Sequence, residues 1–576
     1  MAENFYKDNP DLAFHLRHRD LEEAVDQRED GYKQAEHYPD APESYDDALD
    51  SYEKVLDMLG ELCAERIAPR AADVDEEGVH LEHGDVRYAE GTKYNLQDLT
   101  DAQLMGAMLP RRFGGLNMPV TVYNMMSELV SRADGSLQNL FGLQDIAQTI
   151  YNFGSEDQRK RYLPRFSRGE VDGAMALTEP EAGSDLQAVQ LKAHYSEDDD
   201  CWYLNGMKRF ITNGCAQVLL VLARSEEGTK DGRGLSMFLC EKCPGLTVRR
   251  TENKLGIHGS PTCELQFNNV PAELVGKRRR GLSRYVMSLM NGARVAISSQ
   301  ALGLAEAAYR EGLKYARERE QFGSAIIRFP AVYQMLVYDK MLIVAGRTLL
   351  YEGTRYMDLQ ESYEWKIAQA ESRDDVDPED RKKAKTYSRI AAELTPLGKA
   401  FTTETANRVA YDAIQVHGGT GYMQDFETER YYRDARITNI YEGTTQLQYI
   451  AAIGGIMQRT LDPVLTELSH IPFEGKLRRL ASAVDMAWDK LRKAVNYVSE
   501  RDEEDFFELV TPRLCNMETI VYVAYLMLRD ARIEPQREPL AERFVLDMLP
   551  QVDMEYEIVT RGDMSLIDDH QDILDY

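Results

Sequence analysis

The chain has 576 residues, 43% of them hydrophobic and 9% aromatic, a length that exceeds one core and predicts roughly three or four folded domains. With 97 acidic against 68 basic residues its formal charge is −29, so phosphate backbones and anionic lipid repel it and nucleic-acid binding is disfavoured unless a local basic patch intervenes. Seven scattered cysteines, an odd number without a disulfide framework, point to a reducing compartment.

Met1-Ala2-Glu3-Asn4 has neither the basic start nor the apolar stretch of a signal peptide. The longest apolar run, Ile520 to Leu528, is flanked by Glu518 and Arg529 and is far shorter than the ~20 residues that cross a bilayer. A cytoplasmic protein without a membrane span is expected.

Residues 1 to 50 are charged and broken by Pro10, Pro39 and Pro42, and read as an extension with one or two short helices. From Tyr52 the apolar positions Val55, Leu59, Leu62, Cys63 and Ile67 fall on one helical face, which Pro69 is expected to end. Helical patterning then continues through Leu104, Val122 to Val130 and Leu140 to Phe153, an all-helical block over 51–173.

Between 174 and 275 the period changes. Cys201 to Leu204, Asn205-Gly206 and Met207 to Thr212 form an Asn-Gly hairpin pattern, with strand-like runs at Val218 to Ala223, Leu235 to Leu239 and Glu264 to Phe267. Cys240 and Cys243 have the spacing of a metal or redox pair, but no second pair or histidine cluster completes a zinc site, so they read as a strand end and no metal is expected. Lys277-Arg278-Arg279-Arg280 is the nearest basic run and reads as the cap of a strand-to-helix loop that is able to meet an anion.

Helices resume after Gly276. Leu302, Ala305, Tyr309, Leu313 and Ala316 recur at steps of three and four in a helix that ends at Gln321-Phe322-Gly323. A second long helix, 387–416, leads into His417-Gly418-Gly419, and the charge-rich stretch from Asp374 to Lys385, with Pro378, reads as an exposed loop. In Tyr441-Glu442-Gly443-Thr444-Thr445-Gln446 one acid sits beside a glycine that lets a backbone approach closely, with donors following it. That makes Glu442 a candidate base. Beyond 461 the stripe Leu477, Leu480, Val484, Trp488, Leu491, Val495 and Val498 marks a further helical block and a packing seam.

Five strings in order, Leu177-Thr178-Glu179-Pro180-Glu181-Ala182-Gly183-Ser184-Asp185, Phe210-Ile211-Thr212-Asn213-Gly214, Arg319-Glu320-Gln321-Phe322-Gly323, Gln415-Val416-His417-Gly418-Gly419 and the segment around Glu442, closely resemble the acyl-CoA dehydrogenase family over about residues 50 to 460. The resemblance implies a mainly α fold with a central β domain: an extension over 1–50, helices over 51–173, a β domain over 174–275, helices carrying the base over 276–460, and an added C-terminal helical domain over 461–576. It implies bound FAD and oxidation of an acyl-CoA thioester to its 2-enoyl form.

By that resemblance Met175, Leu177, Thr178, Gly183, Ser184, Phe210, Ile211 and Thr212 line the flavin, whose developing negative charge fixed hydroxyls and amides stabilise. Arg319, Gln321 and Phe322, with Gln415, Gly418 and Gly419, correspond to contacts with the FAD of a neighbouring subunit, and Thr444 and Gln446 to further FAD contacts. Ser184, Asn291, Arg294, Tyr441 and Gly443 correspond to substrate contacts, and Glu442 to the catalytic base, with a raised pKa expected beside the flavin. Some relatives carry the base just before the arginine corresponding to Arg294, where this chain has Ala293.

Phe210 stands where many members have tryptophan, Phe329-Pro330 where many have a glutamine facing FAD, and Gln138 where glutaryl-specific members have their carboxylate-binding arginine. A glutaryl-type substrate is therefore not expected. The added C-terminal block implies a homodimer, and the resemblance implies an electron-transferring flavoprotein as acceptor. The alternatives are an oxidase-like enzyme that uses oxygen on the same scaffold and a non-catalytic flavin-binding relative.

Overall fold

The computed structural model describes residues 4–370 and 376–576. Residues 1–3 and 374–375, which the sequence places in an N-terminal extension and a charged loop, lie outside that range. The chain divides into two compact units, Met1–Gly312 with Ala413–Thr438, and Leu313–Asp412 with Asn439–Tyr576.

In the first unit the N-terminal extension carries helices α1 (Pro10–His18) and α2 (Glu22–Arg28). Ion pairs hold it down: Arg111 to Glu29, both buried, at 2.6 Å, and the buried Arg132 to the part-exposed Asp8 at 2.6 Å. Helix α3 (Tyr45–Leu62) does not stop at Pro69, contrary to expectation. A π turn over Cys63–Ile67 closes with the Ala68 N–H on the Cys63 carbonyl, and a tight turn over Ala68–Arg70 leads into α4 (Ala71–Glu77). Pro69, which has no N–H to lose, falls just past the last π bond and deflects the helix instead of ending it. The next segment corrects the all-helical expectation too, because His80–Glu82 (β1) and Asp85–Arg87 (β2) form an antiparallel hairpin. Helices α5 (Glu90–Asp101), α6 (Val120–Ala133), α7 (Gly135–Phe141), α8 (Gln144–Phe153) and α9 (Glu156–Ser167) follow.

A seven-stranded sheet comes next: β3 (Gly173–Ala176), β4 (Lys192–Ser196), β5 (Cys201–Thr212), β6 (Val218–Arg224), β7 (Leu235–Glu241), β8 (Leu246–Thr251) and β9 (Thr262–Val275). Because β6 pairs with both β4 and β7, the strands β6, β4, β5, β9 and β7 close into a ring, which protects edges that would otherwise be open. Strand β6 is buried on both faces, as its unbroken apolar run requires. Val218, Leu220 and Leu222 pack with Ile146, Ile150 and Leu163, while Leu219, Val221 and Ala223 pack with Leu204, Leu265 and Phe267.

Asn205-Gly206 is not a hairpin turn. Strand β5 runs straight through it with a register shift against β9 between Leu204 and Gly206. Gly206 has φ +140°, and a Cβ there would lie 3.1 Å from the Leu191 Cα, so the glycine serves a bulge where neighbouring backbone comes close.

A π turn over Gly281–Val286 opens α10 (Met287–Glu318), and a short hairpin of β10 (Glu320–Gln321) and β11 (Ser324–Ala325) carries Phe322 and Gly323 at its tip. Helix α11 (Pro330–Gln369) has no counterpart in the sequence reading. Every residue from Met341 to Thr354 is buried, and a helix buried all round shows no amphipathic stripe. Helix α12 spans Pro378–His417, so the expected loop is helical from Pro378 to Lys385, and of its described residues only Val376 and Asp377 lie outside a helix. Pro378 starts the helix with its φ already fixed, and the Asp377 carboxylate accepts the Glu379 N–H at 2.9 Å. Those charges are the solvated face of its first turns.

Helix α13 (Thr428–Thr438) belongs to the first unit. The second unit continues with α14 (Thr445–Met457), α15 (Asp462–Ser469), α16 (Gly475–Arg501), α17 (Glu504–Ile533), α18 (Glu538–Arg561) and α19 (Ser565–Asp575). Leu477, Leu480, Val484, Leu491, Val495 and Val498 of α16 are buried, with Trp488 half-buried on the same stripe. The apolar run Ile520 to Leu528 is the buried centre of α17. Among the described residues no helix is long and apolar enough to cross a membrane.

Candidate active site

In the first unit the strip from Met175 to Ser184 leaves β3 and folds back on itself through mutual backbone bonds between Glu179 and Ala182 at 3.0 and 3.1 Å. A buried lysine fixes this strip to β5. Lys208 donates to the Leu177 carbonyl at 2.7 Å and to the Glu179 carboxylate at 2.8 Å. Glu179 also accepts the backbone N–H groups of Gln190 and Leu191 at 2.7 and 2.9 Å. Desolvation pulls the ammonium down to about 8, opposed by the carboxylate beside it. One residue on, the Arg209 N–H bonds to the Thr178 carbonyl at 2.9 Å.

This clasp sets Thr178 beside Phe210, Ile211 and Thr212. A second register shift of β5 lies between Lys208 and Ile211, and Phe210 within it has φ +60°. A bulge re-aims a side chain out of its ladder, and the Phe210 ring is 53% exposed, with the Arg209 guanidinium 4.6 Å from its centroid. Ile211 returns to the core opposite Cys263. Thr178, Thr212 and Met175 are half-buried, Leu177 is buried, and Gly183 and Ser184 are exposed. The hydroxyls of Thr178 and Thr212 make no hydrogen bond among the described residues.

On α10 the buried Arg294 donates to the Asn291 side-chain oxygen at 3.3 Å, a pair one helical turn apart. Gln138 is buried on α7. Gln415, Gly418 and Gly419 are exposed, and a Cβ at either glycine would meet open space.

In the second unit Arg319 and Gln321 are exposed and Phe322 is 96% exposed at the hairpin tip. Glu442 and Gly443, at φ +53° and +95°, form the turn that leads into α14. Left-handed backbone is uncommon for a residue with a side chain, and three groups hold it here. Lys399 of α12, wholly buried, donates to the Gly443 carbonyl at 2.7 Å. Gln448 donates to the Gly443 and Glu442 carbonyls at 2.8 and 3.1 Å. Glu404 accepts from Asn439 at 3.0 Å and from the Thr445 hydroxyl at 2.6 Å, bracketing the turn. A Cβ on Gly443 would sit 2.8 Å from the Gln448 amide nitrogen. Tyr441, Glu442 and Thr444 are half-buried, whereas Gln446 is exposed. Among the described residues no cluster of metal-ligating side chains is present.

Lys208, Lys399, Glu404 and Gln448 stand out in no motif of the sequence. Their one signal in the sequence is a charged or amide residue at an inward position of a strand or helix.

Within the first unit, helices flanking a sheet whose bulged strand turns out an aromatic ring beside two threonine hydroxyls suit a flavin-dependent oxidoreductase. Three family models match: acyl-CoA dehydrogenase N-terminal domain over 50–170, middle domain over 174–270 and C-terminal domain over 280–454. The chain belongs to the acyl-CoA dehydrogenase family and is an FAD-dependent acyl-CoA dehydrogenase.

It is 36% identical over 420 residues to the 3-methylmercaptopropionyl-CoA dehydrogenase of Ruegeria pomeroyi, covering 68% of either chain. It shares 31% identity with a chain from the structural study of the electron transferring flavoprotein of Acidaminococcus fermentans, with TM-score 0.60 over 70% of this chain and 96% of that one. The acyl-CoA dehydrogenase of Bacillus anthracis, solved with FAD, matches in fold over 88% of each chain at TM-score 0.76 and 22% identity. The open hydroxyls of Thr178 and Thr212 and the part-exposed Phe210 ring suit a flavin by their chemistry, one polar edge and one apolar face.

Proposed function

We propose that the chain removes hydrogen from the α and β carbons of an acyl-CoA thioester, with Glu442 taking the α-proton. The observation that carries this reading is the left-handed Glu442-Gly443 turn held by Lys399 and Gln448. Strained backbone persists only where its surroundings over-determine it, which is a mark of functional sites. FAD, when bound, supplies the acceptor for the β-hydrogen.

The chain's own residues orient and bind. Thr178 and Thr212 donate hydroxyls to the flavin edge, Met175, Leu177, Phe210 and Ile211 give it apolar surface, and Gly183 and Ser184 admit its approach. Arg294, positioned by Asn291, takes the CoA side, with Tyr441 and Gly443 near the acyl end. Thr444 and Gln446 serve the cofactor.

The exposed Arg319, Gln321 and Phe322, with the open glycines Gly418 and Gly419, fit a cofactor shared with a second copy, so a homodimer follows. The likeness to the Acidaminococcus chain supports an electron-transferring flavoprotein as acceptor. Anaerobic addition of short, long, branched and cyclic acyl-CoAs tests the reaction. At least one is expected to bleach the flavin, and bleaching by none overturns the reading. Rapid reoxidation of the bleached enzyme by air would overturn the proposed acceptor.

A further inference from the structure

Two thiols lie behind the strand that carries Phe210 and Thr212. Cys263, buried on β9, lies opposite Ile211 of β5, and Cys215 lies in the turn just after that strand, partly exposed. Gly214 brings the turn onto β9, since a Cβ there would lie 2.8 Å from the Cys263 Cβ. The Cys215 thiol donates to the Asn213 side-chain oxygen at 3.5 Å.

Asn213, at φ +52°, anchors the turn by donating its backbone N–H to the Pro261 carbonyl at 2.8 Å and its amide to Asp172 at 3.0 Å. The Tyr88 hydroxyl donates to the Asn213 side-chain oxygen and stands 3.6 Å from the Cys215 sulfur. Nothing in the proposed dehydrogenation uses this cluster.

We propose that Cys215 is a reversible thiol–disulfide modification site, with Cys263 as its built-in resolving thiol. The part-exposed Cys215 thiolate attacks one sulfur of a low-molecular-weight disulfide and expels the other as a thiolate, leaving a mixed disulfide. Cys263 then attacks the Cys215 sulfur and expels the second thiol. Net, the chain loses two hydrogens, gains one sulfur–sulfur bond, and the small disulfide becomes two thiols.

The environment favours this order. The neighbouring Cys263 is the largest influence holding the Cys215 thiol below its ordinary value, and Cys215 in turn raises Cys263, so Cys215 is the better first nucleophile. The other close pair is less suited, because burial pushes the Cys240 thiol up and leaves Cys243 without a ready partner. A bridge at Cys215 would tie the turn to β9 directly behind the flavin-lining strand, a consequence that rests on the function proposed above.

The holoenzyme incubated with oxidised glutathione and digested for mass spectrometry tests the site. A peptide pair linked through Cys215 and Cys263, two hydrogens lighter and released by dithiothreitol, is expected. Cys263→Ser should stop at a glutathione adduct on Cys215, and Cys215→Ser should yield neither product. A stable adduct on wild-type Cys215, a link through Cys240 and Cys243 alone, or no modification overturns the proposal. These readouts hold whether or not any acyl-CoA bleaches the flavin.

Discussion

Lys399 donates a 2.7 Å hydrogen bond from its buried ammonium to the carbonyl oxygen of Gly443, 44 residues further along the chain. The bond ties α12 to the turn that carries Glu442. A hydrogen bond from a charged donor contributes about 1.5–3 kcal/mol, enough to hold a left-handed pair that would otherwise relax. Lys399→Met is therefore expected to retain FAD and slow anaerobic flavin reduction about 10- to 100-fold, with Lys399→Arg recovering part of the rate. The limiting rate at saturating acyl-CoA should fall more than the half-saturation concentration rises, since the lysine holds the proposed base rather than the substrate. An unchanged limiting rate in Lys399→Met would refute this.

Glu442→Gln keeps the shape of the side chain and removes its capacity to take a proton. General base catalysis contributes about 10²- to 10⁴-fold, so flavin reduction should slow by at least that range while the flavin spectrum and FAD content stay unchanged. Stopped-flow reduction under anaerobic conditions measures it. Turnover near the wild-type rate would rule out Glu442 as the base.

How these parts were legible differs with the distance between partners. The strands appeared because β6 alternates between two apolar clusters, and the end of α10 because Phe322-Gly323 breaks its stripe. What failed was punctuation whose meaning depends on neighbours. Asn205-Gly206 reads as a turn until β9 is seen to pair across it, and Pro69 reads as a stop until the π turn before it is known. The charges after Pro378 look the same on a loop as on an exposed helix. The motifs located Thr178, Phe210 and Glu442, but not the groups that hold them, because Lys208 lies 31 residues from Leu177 and Lys399 lies 44 from Gly443. Local periodicity carries no record of such pairs.

Glu393 of α12 and Glu518 of α17 face each other in the second unit, both buried, with Thr460 and Asp462 beside Glu393 and Cys515 near both. Burial pushes Glu393 up to about 7 from an ordinary 4.5, and burial with the Glu393 charge holds Glu518 well above its usual range. The folded state thus keeps protons that the unfolded chain releases above about pH 4.5. The resulting stability is fully present below that pH and is lost as pH rises through about 7. Glu518→Gln supplies a permanent donor to Glu393, so its melting temperature should exceed wild type at pH 8 and approach it at pH 5. The difference at pH 8 should be on the order of 1 kcal/mol. Calorimetry at the two pH values decides it, and a difference independent of pH would show that the pair does not share a proton.

Lys208 bridges the Leu177 carbonyl and the Glu179 carboxylate inside the first unit. Lys208→Met would leave Glu179 buried with only backbone partners, and breaking a buried pair in this way costs about 3–5 kcal/mol. The strip from Met175 to Ser184 should then loosen from β5 and separate Thr178 from Thr212, the two hydroxyls proposed to meet the flavin edge. Weaker FAD retention on gel filtration is expected, together with a lower urea midpoint. The double variant Lys208→Met with Glu179→Gln removes the stranded charge, so it should recover much of the urea midpoint while FAD retention stays weak. Equal recovery of both would show that Lys208 serves folding alone, and full FAD retention in the single variant would show that the clasp does not position the flavin strip.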